Sequence, residues 1–226
     1  MTSPSSVPPA GGNPVRNDLR IPGSEAPLFG CRPGATSSSF KTHNIWEADV
    51  LSVAVVFFTF GLGAWVIGLY LVGMGATPTE EGKDPLLTVG WIEVIVGLIL
   101  TTQVFILVQQ AGDPTNPTLV LAGLVLLFAV FFTSFGVALV RGLDLRPIGN
   151  LSVAVGILAA LYVSFGFFDG LFLFQSSTIW WGIVFLLIAG FTYGKVSAKL
   201  LGYALLITAI YGFLPVVYLA LDQTIP

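Results

Sequence analysis

One carboxylate lies deep inside an apolar segment, and it is the residue of this sequence best placed to do chemistry. Glu93 stands within residues 89–97, where most of its neighbours are aliphatic. A carboxylate in apolar surroundings is costly, so such residues usually face a cavity, pair with a partner or stay protonated. Glu93 could therefore line a pathway and hydrogen-bond a polar solute. The alternatives are that it reaches a lipid headgroup or bonds a neighbouring helix.

Further polar residues follow Glu93 in the same segment. Thr101, Thr102 and Gln103 come next along the chain. At 100° per residue, Gln103 lies about 80° from Glu93 around a helix. The two side chains do not share one narrow stripe, although both could border a wide cavity.

The remaining ionisable residues favour neither an enzyme nor a cofactor protein. The sequence contains no GxSxG, P-loop, CxxC or HExxH motif. A single histidine, His43, and a single cysteine, Cys31, make a zinc site or haem ligation improbable and rule out an internal disulfide. With a net charge of -3 and no basic block, nucleic acid is not an expected partner. We therefore expect no catalysis, no metal and no cofactor.

Long apolar runs must position these side chains. Hydrophobic residues make up 55% of the chain and charged residues 9%, against about 25% charged in ordinary soluble domains. A hydrocarbon core about 30 Å thick needs about 20 apolar residues of helix to cross it. Six runs meet or approach that length: 49–75, 86–110, 118–140, 150–174, 177–193 and 198–221. The sequence predicts an all-α integral membrane protein, a six-transmembrane-helix bundle over residues 49–226 surrounded by the lipid bilayer.

The residues before the first run are of a different kind. Residues 1–48 are rich in Pro, Ser and Gly and lack the apolar core of a secretory signal peptide. Such a composition cannot bury enough apolar surface to order itself. We expect an extended, irregular N-terminal tail that could wrap a partner subunit.

Charges in the loops predict the orientation. The loops after spans 1, 3 and 5 hold five basic residues: Lys83, Arg141, Arg146, Lys195 and Lys199. The loops after spans 2 and 4 hold none, and only Lys41 lies close to the start of span 1. Because Lys and Arg are enriched on the cytoplasmic side, we expect the odd loops inside a cell (inner) membrane and both termini outside.

Small and aromatic residues predict helix packing and membrane anchoring. Small residues four apart let helices approach closely; the pairs are Ala64 with Gly68, Gly166 with Gly170 and Gly190 with Gly194. Amphipathic rings near span ends anchor at the headgroup level; the candidates are Trp46, Trp91, Trp180 and Trp181. Asp169 is expected to be a boundary residue near the end of span 4.

Three features together resemble a known family. The loop after span 3 reads Gly142-Leu143-Asp144-Leu145-Arg146-Pro147, the pair Trp180-Trp181 opens span 5, and Pro215 comes late in span 6. This combination resembles the AmiS/UreI family of urea and short-chain amide channels. The resemblance implies a passive channel that assembles as a ring oligomer. The loop itself favours a structural role, because Asp144 and Arg146 can pair and Pro147 restricts the turn.

The expected solute-lining residues of that family are missing. The resemblance implies a glutamate about two turns before Pro215, but residues 206–210 contain no carboxylate. A neutral amide needs only a narrow path with a few donors and acceptors, and four residues could supply them: Glu93, Gln103, Thr192 and Thr208. The alternative function is a non-catalytic accessory subunit of a larger membrane complex, built on the same fold.

Overall fold

The described part of the protein consists of six helices. The computed structural model describes residues 38–78, 82–113, 116, 118–164 and 172–221, with side chains from Ser52 onward. The helices are α1 Ser38–Val72, α2 Pro85–Ala111, α3 Thr118–Arg141, α4 Arg146–Ser164, α5 Phe172–Thr192 and α6 Ala198–Ala220. Each contains a segment long and apolar enough to cross a membrane. The prediction of an all-α, six-helix membrane protein is confirmed.

Polar caps and glycines define several helix ends. Asp84 caps α2 by accepting a 2.9 Å hydrogen bond from the backbone N–H of Leu86, and Ser197 caps α6 in the same way through Leu200. Gly142 and Gly194 follow α3 and α5 with φ of 62° and 69°, a left-handed conformation that glycine adopts without steric cost. These short, polar connections are typical of antiparallel membrane helices.

The six helices pack as three tight pairs, α1 with α6, α2 with α3, and α4 with α5. Glycines make each close approach possible. A Cβ atom on Gly136 would lie 2.5 Å from the carbonyl oxygen of Gly90, and one on Gly212 would lie 2.7 Å from the Cα of Gly61. In the third pair, a Cβ on Gly156 would lie 3.1 Å from the carbonyl oxygen of Gly182. Between lipid-embedded helices, such contacts supply packing energy that the hydrophobic effect does not.

The predicted small-residue pairs had different outcomes. Ala64 and Gly68 do face a neighbouring helix, since a Cβ on Gly68 would lie 3.1 Å from the carbonyl oxygen of Gly202 in α6. The pair Gly190 and Gly194 does not join two helices. Gly190 packs against Val196 in the following loop, and Gly194 serves as the turn after α5. Gly166, Gly170, Asp169 and Cys31 lie outside the described residues.

Several predicted boundaries were wrong. Helix α1 begins at Ser38, so residues 38–48 are helical rather than irregular, while residues 1–37 lie outside the described residues. Helix α4 begins at Arg146 instead of residue 150, because Pro147 suits the first turn of a helix, where its missing N–H is not needed. Helix α4 ends at Ser164 and α5 begins at Phe172, not at residue 177. This shift moves the tryptophan pair from the end of the helix to its middle.

Candidate functional site

The bundle contains an internal cavity with a volume of about 160 Å³, lined by residues of α1, α2, α3, α5 and α6. The lining runs from Phe60, in the middle of α1, to Leu145 in the loop between α3 and α4. The cavity therefore occupies the half of the bundle toward the odd loops. Its lining side chains are apolar except for Tyr70 and Thr192, and the Thr192 hydroxyl donates to the carbonyl oxygen of Ala189 in its own helix at 2.8 Å.

An aromatic cluster closes the inner end of this cavity. Phe60 stacks on Trp181 with ring centroids 4.2 Å apart and an interplanar angle of 21°. The edge of Phe132 meets Phe60 at 5.1 Å. Phe128 packs against both Trp181 and Phe60, with ring centroids at 5.3 and 5.2 Å, and is itself stacked on Phe185 at 5.6 Å. A path along the bundle is occluded at this level.

Neither tryptophan of the pair is an interfacial anchor, contrary to the prediction. Trp181 is 1% exposed because α5 begins at Phe172, which places residue 181 near the helix midpoint. Trp180 is partly buried and donates from Nε1 to the hydroxyl oxygen of Thr208 at 3.0 Å. Trp91, by contrast, is 57% exposed on α2, and the side chain of Trp46 lies outside the described residues.

Glu93 lies close to the aromatic cluster, completely buried between helices. Its Oε2 atom lies 2.9 Å from where a Cβ on Gly63 of α1 would stand, and Cε1 of Phe132 lies 3.3 Å from the same point. The missing side chain of Gly63 thus leaves the space that the carboxyl group fills. Neither carboxyl oxygen accepts a hydrogen bond from any described residue.

The other predicted pore residues are scattered. Thr192 lines the cavity. Thr208 is fully buried, and besides accepting from Trp180 it donates to the carbonyl oxygen of Ala204 at 2.9 Å. Gln103 is partly exposed on α2 and does not line the cavity. Of the four candidates, only Thr192 borders the cavity, and only Glu93 lies next to its closed end.

Sequence reasoning missed the groups that surround Glu93. Phe60 and Phe132 are two of 18 phenylalanines, and nothing in the sequence singles them out. Gly63 is one of several glycines in span 1, and Trp181 belongs to the tryptophan pair. Which helix faces each of them depends on tertiary packing, which no pattern in one span shows.

In the motif loop after α3, the side chains of Asp144 and Arg146 pair with each other. Oδ1 of Asp144 accepts a 2.9 Å bond from the backbone N–H of Arg146, while Oδ2 pairs with the Arg146 guanidinium through Nε at 2.8 Å. These hydrogen bonds hold the pKa of the Asp144 carboxyl below its usual range. Leu143 is exposed and Pro147 lies in the first turn of α4. Pro215 lies inside α6, where it removes one helical hydrogen bond.

No metal centre is visible in the part of the chain that the structure describes. Within those residues, no group of three or more His, Cys, Asp or Glu side chains could hold an ion.

Comparison with known proteins gives a consistent result. The crystal structure of the urea channel from the human gastric pathogen Helicobacter pylori matches with a TM-score of 0.61 and 14% identity, covering 76% of this chain and 99% of that one. A cryoEM structure of the Helicobacter pylori urea channel in a closed state matches with a TM-score of 0.54 and 15% identity, covering 75% and 98%. No curated protein sequence matches. The model of the AmiS/UreI family of transporters matches residues 51–223. The resemblance seen in the loop, the tryptophan pair and the late proline is thus confirmed, and the chain belongs to the AmiS/UreI family of multi-pass membrane transporters.

Proposed function

We propose that this protein is a passive channel for small neutral amides, and that each chain conducts through its own helix bundle. The carrying observation is the cavity within the bundle, which runs from the odd-loop end to the aromatic cluster. The family match favours this function over an accessory subunit, because the matching model describes transporters and spans all six helices.

The lining of the cavity favours amides with a short alkyl chain over urea. Urea carries hydrogen-bonding groups on every side, and an unpaired polar group in apolar surroundings costs roughly 2–7 kcal/mol. An aliphatic amide is polar at one end only, and each methylene that it buries contributes about 0.8 kcal/mol. The apolar walls around Ala64, Ile67 and Leu205 suit such a chain.

Flux measurements on reconstituted vesicles test this function. Purified protein in proteoliposomes is mixed rapidly with butyramide, acetamide or urea, and vesicle swelling is followed by light scattering. We expect faster entry of both aliphatic amides than into protein-free vesicles, with a smaller acceleration for urea. Equal rates with and without protein for all three solutes would refute a channel, and a preference for urea would refute the assignment of the solute class.

The proposed orientation places the odd loops in the cytoplasm of the cell membrane. Lys83 and Lys195 in these loops, with Lys199 in the first turn of α6, support it through the positive-inside rule. In a Cys31→Ser background, a cysteine at Lys199 should react with a membrane-impermeant maleimide only after the cells are opened. If this cysteine is labelled in intact cells, the orientation is the reverse of the one proposed.

The chain is further proposed to form a homo-oligomer. One face of α2 is strongly exposed, with Trp91, Ile95 and Leu98 each more than half accessible. In a ring, another copy would cover part of this face and lipid the remainder. Native mass spectrometry after mild detergent extraction should show multiples of 24.0 kDa. Unrelated subunits in fixed proportion would instead support the accessory-subunit alternative.

A further inference from the structure

Two buried side chains in the described part of the protein have polar atoms without a hydrogen-bond partner. They are the carboxyl group of Glu93, with both oxygens unpaired, and Nε1 of Trp181. Buried polar groups in folded proteins are almost always paired, so such exceptions call for an explanation. One of these two groups is an acceptor and the other is a donor.

Both groups lie against the same stretch of α1. Trp181 stacks on Phe60, and the Glu93 carboxyl packs on Gly63, three residues further along the helix. Three residues of α-helix rise about 4.5 Å. Phe132 contacts Phe60 and also borders the Glu93 carboxyl, so one aromatic cluster adjoins the donor and the acceptor.

Glu93 and Trp181 also have a defined position relative to the cavity. Phe60 and Phe132 belong to the cavity lining, whereas Glu93 and Trp181 lie just behind them. On α2, Val89 lines the cavity and Glu93 is one turn deeper. A molecule in the cavity would therefore meet the Phe60 ring before it reached either unpaired group.

We infer that Glu93 and Trp181 form the recognition site for the carboxamide group of the solute. The indole N–H of Trp181 donates to the solute's carbonyl oxygen, and a Glu93 carboxyl oxygen accepts a hydrogen bond from the solute's N–H. The alkyl chain of the solute stays in the apolar cavity. This inference rests on the proposed channel function and deepens it by assigning a site to each end of the molecule.

The neighbouring Trp180 shows that this bundle can supply a hydrogen-bond acceptor to the indole N–H of a tryptophan whose role is structural. Trp180 donates to Thr208, which the opposing helix α6 provides. Trp181 is more deeply buried than Trp180, yet it receives no such acceptor. A structural account of Trp181 explains its ring stacking but leaves its N–H group unexplained.

Matched solutes and variants test the site. Vesicle flux of butyramide is compared with that of N,N-dimethylbutyramide, which keeps the carbonyl oxygen but has no N–H donor. Glu93→Leu should lower the butyramide rate about tenfold, as expected for loss of one hydrogen bond to a carboxylate, and leave the dimethylated amide almost unchanged. Trp181→Phe should slow both solutes, since both carry the carbonyl group. Trp180→Phe is the matched control. It should leave the rates of both amides, and the ratio of the two rates, close to those of wild type.

The outcomes separate this inference from the channel function. If wild-type vesicles admit no solute faster than empty ones, the channel itself is refuted. If wild-type protein conducts but Glu93→Leu leaves the ratio of the two amide rates unchanged, only the recognition site is refuted.

Tryptophan fluorescence supplies a second measurement that needs no flux. Butyramide should shift the emission of the wild-type protein and of Trp180→Phe, but not that of Trp181→Phe. A shift that persists in Trp181→Phe would overturn the role given to this indole.

Discussion

The Glu93 carboxyl group occupies space that exists only because residue 63 is glycine. A side chain in this position that served stability alone would be apolar, since neither oxygen gains a hydrogen bond from the described residues. Residues that break a local rule of this kind are expected at functional sites, where activity is gained at the expense of stability. The stability of the protein should therefore increase when this group is removed.

Replacing Glu93 with leucine should stabilise the detergent-solubilised protein by about 1–3 kcal/mol, the usual cost of a buried unsatisfied polar group. The measurement is thermal unfolding followed by circular dichroism. Gln103→Leu is the control, because Gln103 lies on the same helix but is partly exposed. A lower melting temperature for Glu93→Leu than for wild type would show that the carboxyl group has a stabilising role.

The burial of Glu93 was one of the alternatives open from the sequence, but its neighbours were not foreseeable. A charged residue inside an apolar run is conspicuous whatever its surroundings. The stacking of Phe60 on Trp181 joins residues of α1 and α5, and many phenylalanines of this chain are equally good candidates by sequence. The interfacial assignment of Trp181 failed because it depended on a helix end that was misplaced.

At the scale of helices, prediction succeeded where the composition changes sharply. The ends of α2, α3 and α6 agree with the predicted spans within one residue, because glycine, proline and charged residues flank them. The boundary between α4 and α5 failed, since the intervening sequence is nearly as apolar as the helices themselves. The pairing of helices was largely unforeseen, because glycines occur in every span and only some of them meet a partner.

The α2–α3 pair should be sensitive to single methyl groups. A Cβ atom on Gly136 would approach backbone atoms of α2, at 2.5 Å from Gly90 and 2.7 Å from Val94. Backbone cannot yield as a flexible side chain can, so Gly136→Ala should destabilise the protein by about 1–3 kcal/mol through overpacking.

Gly123→Ala in the same helix is the matched control. Its nearest neighbour would be the hydroxyl oxygen of Tyr162 at 3.4 Å, an ordinary contact. The yield of monodisperse protein and its melting temperature should fall for Gly136→Ala and remain close to wild type for Gly123→Ala. Equal behaviour of the two variants would argue against glycine packing as the basis of this pair.

At the scale of the whole molecule, the described path is closed by aromatic rings rather than by charge. On the proposed route, a solute passes this level only if Phe60, Phe132 or Trp181 moves aside. A narrow apolar constriction excludes ions because they would lose their hydration, while small neutral solutes can pass.

Phe60→Ala should therefore widen the constriction. We expect faster amide flux than in wild type and a larger size limit among aliphatic amides, measured with a homologous series in the vesicle assay. Phe58→Ala is the control, because Phe58 lies on the same helix with 37% of its surface exposed and does not line the cavity. Identical rates for wild type and Phe60→Ala would mean that the solute path avoids the cluster.

The pairing of α1 with α6 has a consequence for biosynthesis. Gly61 emerges from the ribosome well before Gly212, which packs against it. At the 5–20 residues per second typical of translation, on the order of ten seconds separate the two. Throughout this interval, the glycine face of α1 in the membrane has no α6 to pack against. The other two pairs, α2 with α3 and α4 with α5, are neighbours in sequence and can form earlier. Insertion of α6 is then the step that covers this face, and a translation product that stops before Ala198 lacks the surface on which α1 docks.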